Sequence, residues 1–226
     1  MILAFDTSSP AGSVAVLEGL VVLAEESLDA SQRSAQSLAP AIEQVLRLAG
    51  KQPVDVRLVA TTVGPGSFTG LRVGVTMAKT LAYALKCDVI GLNTLDVLAA
   101  QLPAELVPTN GRIHAVLDAQ RKELFAARYA IFPEGLLRKL EGDEPIQSGE
   151  AWLQSLHAGD VVTGSGLNRW EERIPTSVIV APRELHEPQA ATIGRMALRE
   201  YERGRRDDFW TLAPCYVRPS YAEEKK

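Results

Sequence analysis

The sequence contains few of the residues that build disulfide frameworks and transition-metal sites. Only two cysteines occur among 226 residues, Cys87 and Cys215, and they do not form the Cys-x-x-Cys spacing of thiolate metal sites. A disulfide framework is therefore not expected. The three histidines, His114, His157 and His186, form no His-x-x-x-His or His-Glu-x-x-His pair. The sequence thus predicts no metal site.

Long hydrophobic runs and an excess of basic charge are also missing. No apolar stretch approaches the roughly 20 residues of a membrane-spanning helix. The start, MILAFDTSS, lacks the basic segment of a signal peptide and is expected to be a first strand. The net charge of −4 gives no overall attraction to nucleic acid or to anionic lipid. With 46% apolar and 23% charged residues, we expect a globular protein of the cytoplasm that does not bind membranes.

The most informative stretch is a glycine-rich turn between an apolar strand and an apolar helix. The strand is predicted over residues 58–63 and the helix over residues 71–85. Glycine accepts positive φ at little cost and proline fixes its own φ, so the turn between them is sharp. Four glycines are predicted to have a structural role in this turn: Gly64, Gly66, Gly70 and Gly74.

The same turn does not match the known phosphate-binding or nucleophile motifs. A Walker loop requires Gly-Lys-Ser/Thr where the helix starts, whereas this helix starts with Gly70-Leu71-Arg72. The Gly-x-Ser-x-Gly frame of a nucleophilic serine is not met either, and no catalytic residue is predicted. Both a weak anion site and close packing of helix on strand account for the glycines at this stage.

The predicted elements repeat in the two halves of the chain. Each half opens with a strand that ends in aspartate, Asp6 in the first and Asp118 in the second. A duplicated β-β-β-α-β-α unit is the layout of the α/β actin-like, Hsp70-like and sugar-kinase (ASKHA) folds. We expect one subdomain over residues 1–108 and another over residues 109–226, with the final helix packing back on the first.

The turn after the first strand is the candidate cofactor site. In an actin-like fold, an aspartate followed by small residues and a glycine wraps a nucleotide phosphate through backbone amides. Asp6, Thr7, Ser8 and Gly12 fit this pattern loosely, and an ordinary Ser-, Pro- and Gly-rich turn fits as well. The matching turn of the second half, residues 119–123, has no glycine and several long side chains. Backbone amides there cannot approach a triphosphate closely, which argues against a self-sufficient ATPase.

Several motifs closely resemble the TsaB (YeaZ) family. They are ILAFDTS at residues 2–8, GPGSFTGLRVG at 64–74, AKTLAYAL at 78–85, NTLD at 93–96, LDAQRKE at 117–123 and YVRP at 216–219. The resemblance implies an actin-like fold with a reduced second half. It also implies a role in making N6-threonylcarbamoyladenosine (t6A) beside the anticodon of tRNA.

The resemblance further implies a non-catalytic scaffold subunit. In that family the catalyst is a larger metal-dependent paralogue, TsaD, and an ATPase subunit, TsaE, joins the pair. We therefore expect the chain to need no cofactor itself, to meet ATP or ADP only in the assembled complex and to reach tRNA through that complex. Whether the isolated chain forms a homodimer stays open from the sequence. Catalytic relatives carry a histidine pair on the first helix, which residues 31–37 lack. The run Arg33-Ser34-Ala35-Gln36 also departs from the His-Ser-Glu-like run of many TsaB sequences.

The family pairs its subunits through the two N-terminal helices. The second of these helices is apolar nearly all round, and such a helix is normally covered on both sides. A partner chain or the helix predicted over residues 34–49 would supply the outer cover. The residues predicted by position to lie near the partner are Leu38, Ile42, Leu71, Val75, Met77, Ala78 and Ala82.

Two other functions remain open from the residues. An actin-like ATPase or small-molecule kinase would use the hairpin at residues 6–13. A metallopeptidase, an older label for this superfamily, is less favoured because the three histidines are far apart in the sequence.

Overall fold

The structure is a computed structural model that describes residues 1–29, 34–131, 137–140 and 146–217. Within these ranges, two mixed β-sheets lie side by side and helices cover their faces. None of the helices described there combines the length and the hydrophobicity needed to cross a lipid bilayer.

The first half builds a sheet with the order β3-β2-β1-β4-β5. Its elements are β1 Ile2–Asp6, β2 Ser13–Glu18, β3 Val21–Ser27, α1 Ser34–Leu48, β4 Leu58–Gly64, α2 Phe68–Leu85, β5 Asp88–Asn93 and α3 Thr94–Ala100. Strand β1 is antiparallel to β2 and parallel to β4. Helices α1 and α2 pack over one face, where the buried side chains of β1, β2 and β4 form the main core.

The second half builds a sheet with the order β11-β10-β6-β7-β8, with β9 also paired to β7. Its elements are β6 Arg112–Asp118, β7 Glu123–Ile131, β8 Leu137–Lys139, β9 Ile146–Ser148, α4 Gly149–Gln154, β10 Val161–Thr163, β11 Ile179–Val180 and α5 Ala190–Glu202. Strand β6 is antiparallel to β7 and parallel to β10.

The two sheets have the same strand order and the same strand directions. In each sheet the opening strand pairs antiparallel with the next strand and parallel with the strand that follows the helix. This repetition confirms the predicted duplicated actin-like fold. The second half is smaller: between β10 and β11 the chain forms only the short 3-10 turns Ser165–Arg169 and Glu171–Arg173, whereas α2 fills that place in the first half.

Helix α5 packs on the sheet of the first half, opposite α1 and α2. Its buried residues Ile193 and Ala197 join Ala4, Leu17 and Leu58 in one cluster. The chain therefore returns to the first half after completing the second sheet. The predicted boundary at residues 108 and 109 lies in the connection between α3 and β6.

Residues 205–217 follow α5 and form a C-terminal strap along the edge of the first sheet. Asp207 pairs with Val89 of β5, and its side-chain Oδ2 accepts a hydrogen bond of 2.8 Å from the Gly91 amide. Farther along, the Cys215 amide donates to the carbonyl oxygen of Val63 at 2.6 Å. The strap thereby covers an edge strand that would otherwise expose unpaired backbone groups.

Candidate functional site

The candidate cofactor hairpin begins at Asp6, the last residue of β1. The Asp6 side chain is fully buried, and its Oδ1 accepts hydrogen bonds from the Ser8 amide at 3.1 Å, the Ser8 hydroxyl at 2.7 Å and the Thr62 hydroxyl at 2.5 Å. The other oxygen, Oδ2, is buried without a hydrogen-bond partner. Burial raises the pKa of the Asp6 carboxyl, and the hydrogen bonds from Thr62 and Ser8 oppose that shift.

The glycine-rich turn packs directly on this hairpin. The Thr7 hydroxyl donates to the Gly70 carbonyl oxygen at 2.8 Å, and the Ser67 amide donates to the Ser8 carbonyl oxygen at 2.7 Å. A Cβ atom at Gly66 would lie 2.7 Å from the same Ser8 oxygen. Hydrogen bonds and close contacts therefore fix the position of the turn against the hairpin.

The other glycines of the candidate site are also places of close approach. A Cβ atom at Gly70 or Gly74 would overlap Thr7, and one at Gly12 would overlap the carbonyl oxygen of Asp6. Gly64 has a φ of 125°, and a Cβ atom there would lie 2.6 Å from a carbonyl oxygen of the C-terminal strap. These positions require glycine for packing and backbone conformation, without a ligand.

A segment from the second half covers the hairpin. The Ser13 hydroxyl donates to the Pro188 carbonyl oxygen at 3.3 Å and accepts from the Ala190 amide at 2.9 Å. Burial raises the pKa of the neighbouring Glu187 carboxyl. A hydrogen bond with the Ser9 side chain lowers this pKa, and the charge of Asp6 raises it further. An anion at the hairpin amides would lie close to the carboxyl groups of Asp6 and Glu187.

The corresponding turn of the second half has an unusual backbone. Gln120, Arg121 and Lys122 all have positive φ, at 66°, 53° and 65°. Left-handed conformation costs a non-glycine residue about 1–2 kcal/mol. The turn is held by hydrogen bonds from the Gln120 amide to the Asp118 carboxylate at 2.8 Å and from the Glu123 amide to the Gln120 carbonyl oxygen at 2.8 Å. The sequence showed the long side chains but gave no signal for this conformation.

Most of the residues predicted to lie near the partner are buried within the chain. Helix α2 packs on β4, and six of the seven side chains are buried: Leu38, Ile42, Leu71, Val75, Ala78 and Ala82. Met77 alone of the seven is partly exposed, and together with the buried Ile42 it lines a groove of about 560 Å³ between α1 and α2. Periodicity could not separate the two faces of α2 because both are apolar.

The groove itself was not visible from the sequence. Its floor is apolar and is formed by Ile42, Leu46, Met77 and Leu81. Its rim carries charged side chains of both signs, from Glu43, Arg47 and Lys51. An apolar centre with a charged rim is the usual anatomy of a protein–protein interface. The interface prediction for α1 and α2 stays a prediction, and two of its seven residues, Ile42 and Met77, line the groove.

Two of the three histidines lie near one aspartate. The buried Asp160 accepts hydrogen bonds from the Arg112 guanidinium at 2.8 Å and from the His157 amide at 2.8 Å, and its Oδ2 lies 3.1 Å from Nε2 of His114. Burial lowers the pKa of His114 to about 4, against the opposing charge of Asp160. No group of three or more His, Cys, Asp or Glu side chains in the described ranges is arranged to hold a metal ion.

Two of the sequence motifs extend beyond the described residues. Residues 31–33, including Arg33 of the departing run, lie outside them, and Ser34 is the first residue of α1. Arg218 and Pro219 of the C-terminal motif also lie outside the described residues.

Comparison with known proteins gives consistent matches. Residues 28–151 match the family model described as TsaD, tRNA N6-adenosine threonylcarbamoyltransferase. The chain is 28% identical over 236 residues to the tRNA threonylcarbamoyladenosine biosynthesis protein TsaB of Bacillus subtilis, covering 99% of this chain and 96% of that protein. It is 27% identical to TsaB of Escherichia coli, covering 99% and 97%.

A solved structure is similar over the same length. YeaZ from Pseudomonas aeruginosa matches with a TM-score of 0.79 and 28% identity, covering 95% of this chain and 98% of that one. The similarity therefore includes both halves of the duplicated fold.

Proposed function

The chain belongs to the TsaB (YeaZ) family, and from this we propose that it is a non-catalytic subunit in the synthesis of t6A in tRNA. The observation that carries the proposal is the end-to-end similarity to the Bacillus subtilis TsaB, which leaves almost no part of either chain unmatched. A scaffold depends on its whole surface, so similarity across both halves is what such a role requires.

The geometry of the hairpin supports a non-catalytic role. A catalytic group must contact its substrate, but Asp6 is fully buried and its Oδ1 is engaged by Ser8 and Thr62. The segment that contains Pro188 covers the hairpin from the second half. Catalysis would then be the task of a TsaD-like paralogue, with a TsaE-like ATPase in the same assembly and tRNA bound by the complex.

The groove between α1 and α2 is the surface that we assign to the TsaD-like partner. Ile42 and Met77 offer apolar contacts at its floor, and Arg47 and Glu43 offer charged contacts at its rim. The isolated chain would use the same groove to form a homodimer. ATP or ADP would bind only in the assembled complex, and the assembly would work in the cytoplasm.

Reconstitution of the reaction tests this proposal. Purified chain, the TsaD-like and TsaE-like proteins of the same host, the threonylcarbamoyl donor and tRNA are combined, and each protein is omitted in turn. We expect t6A only in the complete mixture, none from this chain alone, and no heat when Mg-ATP is titrated into the isolated chain. Formation of t6A at full rate without this chain, or by this chain alone, would contradict the proposal.

A further inference from the structure

One flank of α2 presents an exposed row of aromatic and basic side chains. At about 100° per residue, Phe68, Arg72, Lys79 and Tyr83 project on the same side of the helix. The C-terminal strap lies along this side and adds further rings. We define the aromatic ridge by its exposed members, which are Phe68, Arg72 and Tyr83 of α2 together with Trp210 and Tyr216 of the strap.

At one end of the ridge, an arginine packs against two neighbouring rings. The Phe68 and Tyr216 ring centroids are 4.8 Å apart, and the Arg72 guanidinium carbon lies 3.9 Å from the centroid of Phe68. The Arg72 Nε also donates to the Tyr216 hydroxyl at 2.8 Å. The guanidinium is thus held over the Phe68 ring while the side chain remains exposed.

At the other end, three rings form a second cluster. Trp210 lies 4.9 Å from Phe209 and 6.0 Å from Tyr83, measured between ring centroids. Trp210 is 71% exposed and Tyr83 is 64% exposed. Globular proteins rarely leave such large rings grouped in solvent without a binding role. The two clusters are about 22 Å apart along the helix, from 1.5 Å per residue.

The α2 part of the ridge lies in a segment without acidic residues, although the whole chain is acidic. Residues 56–87 contain no Asp or Glu, whereas the net charge of the chain is −4. Lys79 donates to the carbonyl oxygens of Trp210 and Leu212 at 3.2 and 3.0 Å, so that a lysine fixes the strap to α2. The strap carries two carboxylates: Asp207 is paired with Arg205 at 2.9 Å, and the exposed Asp208 accepts a hydrogen bond from the Trp210 amide at 2.8 Å.

We propose that the aromatic ridge binds single-stranded RNA. Exposed rings beside a guanidinium provide stacking surfaces for unpaired bases, and the segment 56–87, which contains Arg72 and no carboxylate, suits a phosphate backbone. The basic side chains would also attract an acidic peptide, but charge attraction alone does not account for four exposed rings in two separated clusters. That the natural RNA is an unpaired loop of tRNA rests on the proposed function.

The ridge and the groove lie on opposite flanks of α2. Met77 and Leu81 project about 120–180° away from Phe68 and Tyr83 on the helix. A protein seated in the groove therefore leaves the ridge accessible. This separation allows a variant at either surface to be tested without altering the other.

RNA affinity of the full-length chain tests the proposal. The probes are a fluorescein-labelled oligo(U) and a duplex RNA of the same length, and the dissociation constants come from fluorescence anisotropy at fixed salt. Trp210→Ala is expected to weaken oligo(U) binding about tenfold, as the loss of one stacked base does. Arg72→Gln is expected to weaken it and to reduce the slope of log K against log salt by about one. Leu20→Ala, an exposed apolar change on the distant β2–β3 turn, serves as the control.

The outcomes separate the alternatives. Oligo(U) binding that is unchanged by Trp210→Ala and Arg72→Gln would overturn the proposal, and so would equal affinity for single strand and duplex. The same holds if neither the chain nor its complex with the TsaD-like protein binds the probe. If the variants lose that protein but keep RNA, the ridge is a protein interface and the proposal is wrong. Failure of the proposed function would appear in the reconstituted reaction instead, since this assay measures RNA affinity alone.

Discussion

At the scale of single residues, the His114 imidazole makes the fold sensitive to acid. Its pKa of about 4 in the folded chain lies below the ordinary value of 6.5, because burial disfavours the charged ring. Between these values the unfolded chain binds more protons than the folded chain does. Titration of His114 therefore leaves the free energy of unfolding unchanged above pH 6.5. As the pH falls from 6.5 toward 4, it lowers that free energy by about 3 kcal/mol in all.

Urea unfolding between pH 7.5 and pH 4.5 measures this effect. We expect the free energy of unfolding of the wild type to fall steeply across that range and that of His114→Gln to fall less. His157→Gln, a change at an exposed ring beside the same Asp160, is the control and should keep the wild-type dependence. A wild-type stability that does not change over this range would show that His114 is not buried in its neutral form.

Gly70 is a second residue on which the candidate site depends. A Cβ atom at this position would overlap the carbonyl oxygen of Thr7, which belongs to the backbone and cannot move aside cheaply. We expect Gly70→Ala to lower the free energy of unfolding by about 2–3 kcal/mol, the usual cost of overpacking. Gly50→Ala, at an open position with a φ of 63°, should cost only about 1 kcal/mol. Equal losses in thermal or urea unfolding would contradict the packing explanation.

At the scale of elements, α1 and α2 together determine whether a partner can bind. Met77 is half-buried and lines the groove, so a carboxylate there places a charge where an apolar contact is expected. Met77→Glu should reduce co-purification with the TsaD-like protein at least tenfold while changing unfolding stability by only about 1 kcal/mol. Leu20→Glu, on the β2–β3 turn, should co-purify like the wild type. Normal co-purification of Met77→Glu would show that the TsaD-like protein binds to a different surface.

The elements were predictable to different degrees. Strand Leu58–Gly64 and helix Ser34–Leu48 were visible from an apolar run and helical spacing. Helix α2 starts at Phe68, three residues before the predicted start, because the Ser67 hydroxyl caps it by accepting from the Gly70 amide at 3.2 Å. Strand Ile146–Ser148 and the C-terminal strap were missed, since pairing with distant backbone stabilises them and leaves no periodic pattern.

At the scale of the whole molecule, the duplication was predictable and the contact between the halves was not. Two strands that end at Asp6 and Asp118 and a repeated order of elements were sufficient to predict the fold. The cover that the segment with Glu187 forms over the first hairpin depends on tertiary packing. It could not be read from the hairpin sequence, which looks the same whether the site is open or closed.

The candidate site was predictable only in its residue types. Sequence reasoning found the hairpin and the glycine turn, but it placed Leu38 and Ala82 at a surface although both are buried. The aromatic ridge was missed because Trp210 and Tyr83 are distant in the chain and meet only through the strap.

Nucleoside mass spectrometry of bulk tRNA, after depletion of this chain in its native host, tests the central claim most directly. A non-catalytic subunit that the synthesis of t6A requires predicts that t6A falls on depletion and returns when the wild-type chain is expressed again. The Met77→Glu chain should not restore it, because it cannot seat the TsaD-like partner. An unchanged level of t6A in the depleted cells would contradict the assignment.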